Sequence, residues 1–129
     1  PETRRDAVER IARVMTDKVG VVRDRAGLEG ALSTLAVIEA DARGDTMIAN
    51  MALAARFIAA AALARHESRG GHCRSDFPAA DPDEAARSRL TIADLRPGAD
   101  LRPGGFRRGQ RAALTGRAPR RRCGAQRGV

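Results

Sequence analysis

An all-α fold, an antiparallel three-helix bundle followed by a disordered basic tail, is what this sequence predicts. Three observations lead there. The 129 residues include no Trp, no Tyr and only three Phe, so a core has to be built from Leu, Ile, Val, Met and Ala. Packed helices use those residues, whereas a β-sandwich wants aromatic and β-branched ones. Apolar residues recur at spacings of three and four in three successive stretches, with glycines between them. The net charge of +8 is also lopsided: residues 1–96 hold 15 basic and 15 acidic side chains, while 97–129 hold nine Arg against Asp100 alone. The chain therefore divides into a neutral folded part, 1–96, and an Arg/Gly/Pro-rich tail, 97–129.

The first helix is expected from Thr3 to Lys18. Thr3 with Asp6 has the form of a capping box, and Val8, Ile11, Ala12, Met15 and Val19 make one stripe. Gly20 ends it, and "GVVRD" is read as a short connection. The second helix is expected over 27–42, with Leu28, Ala31, Leu32, Leu35, Ile38 and Ala42 on its stripe and Gly44 at the cap. The third begins at Asp45 or Thr46, either of which can accept from the first free backbone N–H groups, and runs to Ser68. Alanine dominates it, so neighbouring backbones can approach closely, and a helix apolar on most faces belongs among others. Met47 to Ala64 is as long as a membrane span, but Asn50, Arg56 and the many alanines argue against one. Gly70-Gly71 is expected to end this helix in left-handed geometry. Beyond Pro78 and Pro82, "DPDEAARSRLTIADL" allows one more helical turn or a short strand. Short connections favour antiparallel packing, a layout like that of a spectrin repeat. The alanine-rich core is small for a free-standing unit, which predicts marginal stability.

Two cysteines, Cys73 and Cys123, are too few for a disulfide framework, so a reduced, cytoplasmic setting is the expectation. The N-terminal stretch "PETRRDAVERIARV" is charged and amphipathic, unlike a signal peptide. It opens on Pro1 and reads as a cut from a longer chain. The tail has the charge to touch phosphates, but the sequence offers neither an aromatic stacking platform nor a recognition motif, so no specific nucleic-acid partner is expected. Its Gly/Arg/Pro/Ala composition is also what a shifted reading frame in GC-rich DNA produces.

The densest polar stretch is "ESRGGHCRSDFP", residues 67–78. His66, His72, Cys73 and Asp76 come to mind as metal ligands, but the histidines straddle a helix end and no second cysteine pair accompanies them, so no metal is expected. Cys73 beside His72 is a poor nucleophile–base pair, because neighbours on an extended segment point to opposite sides. Two readings remain. Arg69 and Arg74 with Glu67 and Asp76 form a polar lock onto another domain, or the arginines favour the negative end of a helix. Spacing alone does not separate them.

"ALARHESRGGHCRSDFP" resembles the signature near the end of the L-aspartate oxidase flavoproteins and their relatives, the succinate dehydrogenase and fumarate reductase flavoprotein subunits. In that superfamily an alanine-rich helix runs into E-S-R-G-[AG]-H and then R-x-D-[FY]-P. The matching positions are Glu67, Ser68, Arg69, Gly70, Gly71, His72, Arg74, Asp76, Phe77 and Pro78. Residues 14–35 and 87–95 resemble the segments before and after it, and "RSDFP" with "RLTIADL" is more like the aspartate oxidases. The resemblance implies a C-terminal three-helix domain that packs on an FAD-binding domain. The whole enzyme would use FAD to oxidise L-aspartate to iminoaspartate, feeding quinolinate and NAD biosynthesis. This chain has no G-x-G-x-x-G fingerprint, so no cofactor and no catalytic residue is expected on it. The ten signature residues are expected to hold the domain against its partner.

Overall fold

Residues 3–42 and 44–96 are described by a computed structural model of the chain; the expected tail, 97–129, lies outside them. Thr3 caps the first helix, α1 (Arg4–Lys18). Its hydroxyl accepts from the Asp6 N–H (3.2 Å), and the Asp6 carboxylate accepts from the Thr3 N–H (3.0 Å), so the predicted capping box closes. α2 (Arg25–Asp41) starts two residues earlier than the sequence suggests, because Asp24 accepts from the Gly27 N–H at 2.7 Å and serves as the cap. Asp45 caps α3 (Thr46–Ala64) through the N–H groups of Met47 and Ile48. Gly44, at φ 88°, makes the left-handed step before it.

The end of α3 differs from the expectation. The helix stops at Ala64 rather than Ser68, because Arg65 turns to extended backbone (φ −89°, ψ 109°). The glycine pair lies further on. Arg69 and His72 exchange backbone hydrogen bonds of 2.8 and 3.0 Å, so Gly70-Gly71 forms the tip of a tight hairpin, with Gly70 at φ 58°. "GVVRD" is also more than a connection. Its Val22–Arg23 (β1) pairs in parallel with Cys73–Arg74 (β2), Val22 opposite Cys73 and Arg23 opposite Arg74. After the prolines, Pro82–Glu84 and Ile92–Leu95 form single 3₁₀ turns.

The core is an all-α, three-helix arrangement. Leu28, Ala31, Leu35 and Ile38 of α2 pack with Ile48, Ala52, Ala55 and Ala59 of α3, the most extensive of the helix pairings. α1 adds Ala7, Ile11 and Val14, with Val8 and Met15 half-buried. Ala12, expected on that stripe, is exposed: the buried line runs 7–11–14 and turns Ala12 outward. The start of α1, the end of α2 and the start of α3 meet at one end of the bundle. There Arg4 Nε lies 2.7 Å from Asp45 Oδ2, and a cleft of about 90 Å³ opens among Ala7, Ile38 and Ile48. The ladder and the segment 65–77 sit at the other end. Arg56 of α3 donates to Glu39 of α2 and to the Leu95 carbonyl (2.7 Å), pinning the last 3₁₀ turn to the helices. α3 is long and apolar enough to cross a membrane by length and composition, with a mean hydropathy of 1.7. Here one of its faces is the core of the bundle.

Candidate functional site

The signature segment is organised around Arg74, a charged side chain with no solvent exposure. β2 carries it under the end of α3, where a helix leaves carbonyls unpaired. Its Nη1 donates to the carbonyls of Ala62 (2.9 Å), Leu63 (3.1 Å) and Arg65 (3.3 Å). Its Nε and Nη2 form a two-pronged pair with Asp76, both at 2.7 Å. Asp76 in turn accepts from the N–H of Arg25, the first residue of α2, at 3.2 Å. The cation thus sits at the negative end of α3 and the anion at the positive end of α2. Hydrogen bonds from Arg74, outweighing burial, hold the Asp76 carboxyl down at about 2. The Phe77 ring lies under the guanidinium, 5.1 Å from its carbon to the ring centroid.

Glu67 is the second buried charge. Its carboxylate accepts from Arg65 Nε (2.7 Å), Arg69 Nε (3.0 Å) and the Asp81 N–H (2.9 Å). Burial pushes its acidity toward the neutral form, but the Asp81 N–H and the two guanidiniums together overcome this and keep its pKa below the ordinary value. Both arginines reach further. Arg69 donates to the Asp81 carbonyl at 3.0 Å and Arg65 to that of Glu84, so the segment 81–84 is strapped to the end of α3. Ser68 takes the Arg74 N–H at 2.8 Å and gives its own hydrogen to the Phe77 carbonyl at 2.8 Å.

His72 has both ring nitrogens engaged. Arg23 Nη1 has only hydrogens to offer, so Nδ1 (2.8 Å away) accepts, and Nε2 carries the proton toward the Arg65 carbonyl at 3.3 Å. Burial lowers its pKa and, although the Arg65 carbonyl opposes this, the charges of Arg23, Arg74 and Arg65 add to the lowering. Arg23 also closes the end of α1, donating to the carbonyls of Val19 (3.1 Å) and Gly20 (2.8 Å). His66 stacks flat on Phe77 with centroids 4.5 Å apart, and burial followed by the nearby Arg74 and Arg25 lowers its pKa.

Of the ten signature positions, Glu67, Ser68, Arg69, His72, Arg74, Asp76 and Phe77 converge on this one brace. Gly70, Gly71 and Pro78 lie on its exposed rim. The two readings of the arginines take different residues: Arg74 is the helix-end cation, and Arg69 is the guanidinium left partly in solvent. Cys73 is half-buried with a free thiol. Among the described residues, no three His, Cys, Asp or Glu side chains converge as a metal would require. Sequence reasoning missed Arg23, Arg65 and Asp81. Arg23 sits in a connection and Arg65 at a helix end, where arginine is ordinary. Asp81 acts through its backbone, which no side-chain pattern records.

What the brace and its helices define is a small helical module whose most polar segment is folded inward. The comparisons give its likeness: residues 45–100 match the fumarate reductase flavoprotein C-terminal family. Among individual proteins, the chain is similar to the L-aspartate oxidase of Rhodospirillum rubrum, 49% identical over 90 residues, or 70% of this chain and 32% of that protein. It is 42% identical over 93 residues to the L-aspartate oxidase of Caulobacter vibrioides, covering 71% of this chain and 17% of the relative. An uncharacterised FAD-dependent oxidoreductase of Methanocaldococcus jannaschii is 34% identical over 82 residues, covering 55% of this chain and 15% of the relative. The chain therefore spans a third or less of the length of these relatives. No solved structure matches it.

Proposed function

We propose that residues 1–96 are the C-terminal helical domain of an L-aspartate oxidase, with 97–129 an appended tail. In this reading the domain does no chemistry itself. It supports a flavin domain in a cytoplasmic enzyme that oxidises L-aspartate to iminoaspartate with FAD, on the route to quinolinate and NAD. The observation that carries it is the similarity to L-aspartate oxidases at 42–49% identity across the same stretch that holds the brace. The geometry gives the domain a physical role: Arg74, Asp76, Glu67 and His72 tie the three helices into one rigid body, and Arg69 with the Gly70-Gly71 tip projects from it. These exposed members of the signature are the ones free to meet the flavin domain.

Exchanging the matching segment of the Caulobacter enzyme for residues 1–96 tests the reading. The chimera is expected to retain FAD and to oxidise L-aspartate. Loss of both, with cofactor retained in the equivalent chimera of a fumarate reductase flavoprotein, would move the domain to that branch of the family.

A further inference from the structure

α3 has two apolar faces, and the bundle uses one. Ile48, Ala52, Ala55 and Ala59 point into the core. Met47, Met51, Ala54 and Ile58, at spacings of four, three and four, form a second line on the outside. Met47 is 44% exposed, Met51 36% and Ile58 52%. Between Thr46 and Ala64 the only charged residue is Arg56, and it points away, to Glu39 and Leu95. The outer face of α1 shows what a solvent-facing helix looks like in this domain: Arg5, Glu9, Arg13 and Asp17 are all exposed there. The outer line lies roughly a quarter turn around the helix from the core line, and a helix apolar on two separate faces is one meant to be covered on both.

We infer that the Met47–Met51–Ala54–Ile58 face is the surface on which the flavin-bearing body of the enzyme seats this domain. The inference rests on the reading of the chain as a flavoprotein C-terminal domain and adds a second contact surface to the exposed signature tip, Arg69 with Gly70-Gly71, which that reading already turns toward the flavin domain. Two observations select this occupant. The family match is to a C-terminal region, so in the relatives the bulk of the polypeptide comes in ahead of it. Arg4, at the start of α1, is tied to Asp45, the cap of α3, at 2.7 Å. Polypeptide entering there arrives two residues from Met47, at the head of the exposed line. The last described turn lies elsewhere: the Leu95 carbonyl is held by Arg56, and Arg56 lies about half a turn of the helix away from Met51 and Ile58.

The test uses the full-length Caulobacter chimera carrying FAD. Three forms are compared: unsubstituted, Met51→Glu with Ile58→Glu, and Arg5→Glu with Arg13→Glu on the outer face of α1. Melting followed by flavin fluorescence and circular dichroism, with limited proteolysis, reports docking. The unsubstituted and α1-substituted proteins are expected to melt in one transition and resist cleavage between body and domain. The Met51/Ile58 form is expected to split into two transitions and release the helical domain at least tenfold faster. A single transition and unchanged cleavage in the Met51/Ile58 form would overturn the inference while leaving the proposed function standing. Failure of the unsubstituted chimera to dock would overturn the proposed function itself. The same pair of substitutions in the isolated 129-residue chain provides the second arm. Unchanged helicity is expected, and loss of the fold would show that this face is internal, which also refutes docking there. A dimer of the isolated chain that these substitutions dissolve would assign the face to a second copy instead.

Discussion

Replacing Arg74 with Met keeps most of the buried stem and removes the guanidinium. Five hydrogen bonds go with it: three to the carbonyls of Ala62, Leu63 and Arg65 and two to Asp76. The partners then differ in what they can do. Asp76, 30% exposed, rehydrates and keeps the Arg25 N–H. The Ala62 and Leu63 carbonyls, on buried residues, have no substitute, and an orphaned buried acceptor costs about 1–3 kcal/mol. Breaking a buried ion pair from one side costs about 3–5 kcal/mol, and the two carbonyls alone reach the lower part of that range, so about 3–5 kcal/mol is expected for Arg74→Met. Asp76→Asn leaves the three carbonyl bonds in place and should cost less, about 1–2 kcal/mol. In the double variant the Asp76 term is already lost, so the effects should fall short of additive. Urea unfolding of the chain, followed by far-ultraviolet circular dichroism, measures all three. A cost below about 1 kcal/mol for Arg74→Met would refute the claim that Arg74 is the cap of α3, and strict additivity would refute its coupling to Asp76.

The glycine pair should behave asymmetrically. Gly70→Ala forces a side chain onto φ 58° and is expected to cost about 1 kcal/mol, whereas Gly71→Ala, with open space around it, should fall within about 0.5 kcal/mol of the parent; urea midpoints distinguish them. Gly20→Ala would set a Cβ 2.6 Å from the Thr16 carbonyl oxygen, so its melting temperature should drop further than that of Gly71→Ala. Stability should also fall in acid in two stages. His72 and His66 have folded pKa values below their ordinary 6.5, so below that pH the unfolded chain takes up protons that the folded one resists. Asp76 titrates at about 2 when folded, against an ordinary 3.8, so its contribution is present above 3.8 and fades as pH falls toward 2. A urea midpoint that rises between pH 7 and pH 5 would contradict the histidine assignments.

The helices were legible because each carries its own local instructions. Thr3 and Asp45 announce two of the starts, while Asp24, read as part of a connection, was missed as the third; Leu28, Leu35 and Ile38 recur at the helical period. α3 was read only as apolar on most faces, and neither its inner nor its outer line was separated, since composition does not say which neighbours exist. The end of α3 was misplaced because the stop signal is not local. Arg65 has ordinary helical propensity, and the residue that satisfies the last carbonyls, Arg74, follows a hairpin later. The two-residue ladder was invisible because so short a parallel pairing has no period to read. At the candidate site seven of the ten signature residues meet in the brace, but the part of Arg23, contributed from before α2, was seen only through the fold.

That ladder bears on the order in which the molecule assembles. Val22–Arg23 and Cys73–Arg74 are separated along the chain by all of α2 and α3, so their pairing is expected to follow the docking of both helices. Contacts of such long sequence separation are late events in folding. The Arg23–His72 and Arg25–Asp76 bonds, 49 and 51 residues apart in sequence, then contribute little at the folding barrier and much to the completed state, so their loss is expected to accelerate unfolding more than it slows folding. In a domain whose helices are held by alanines, the brace therefore acts chiefly on how long the folded state lasts once it is reached.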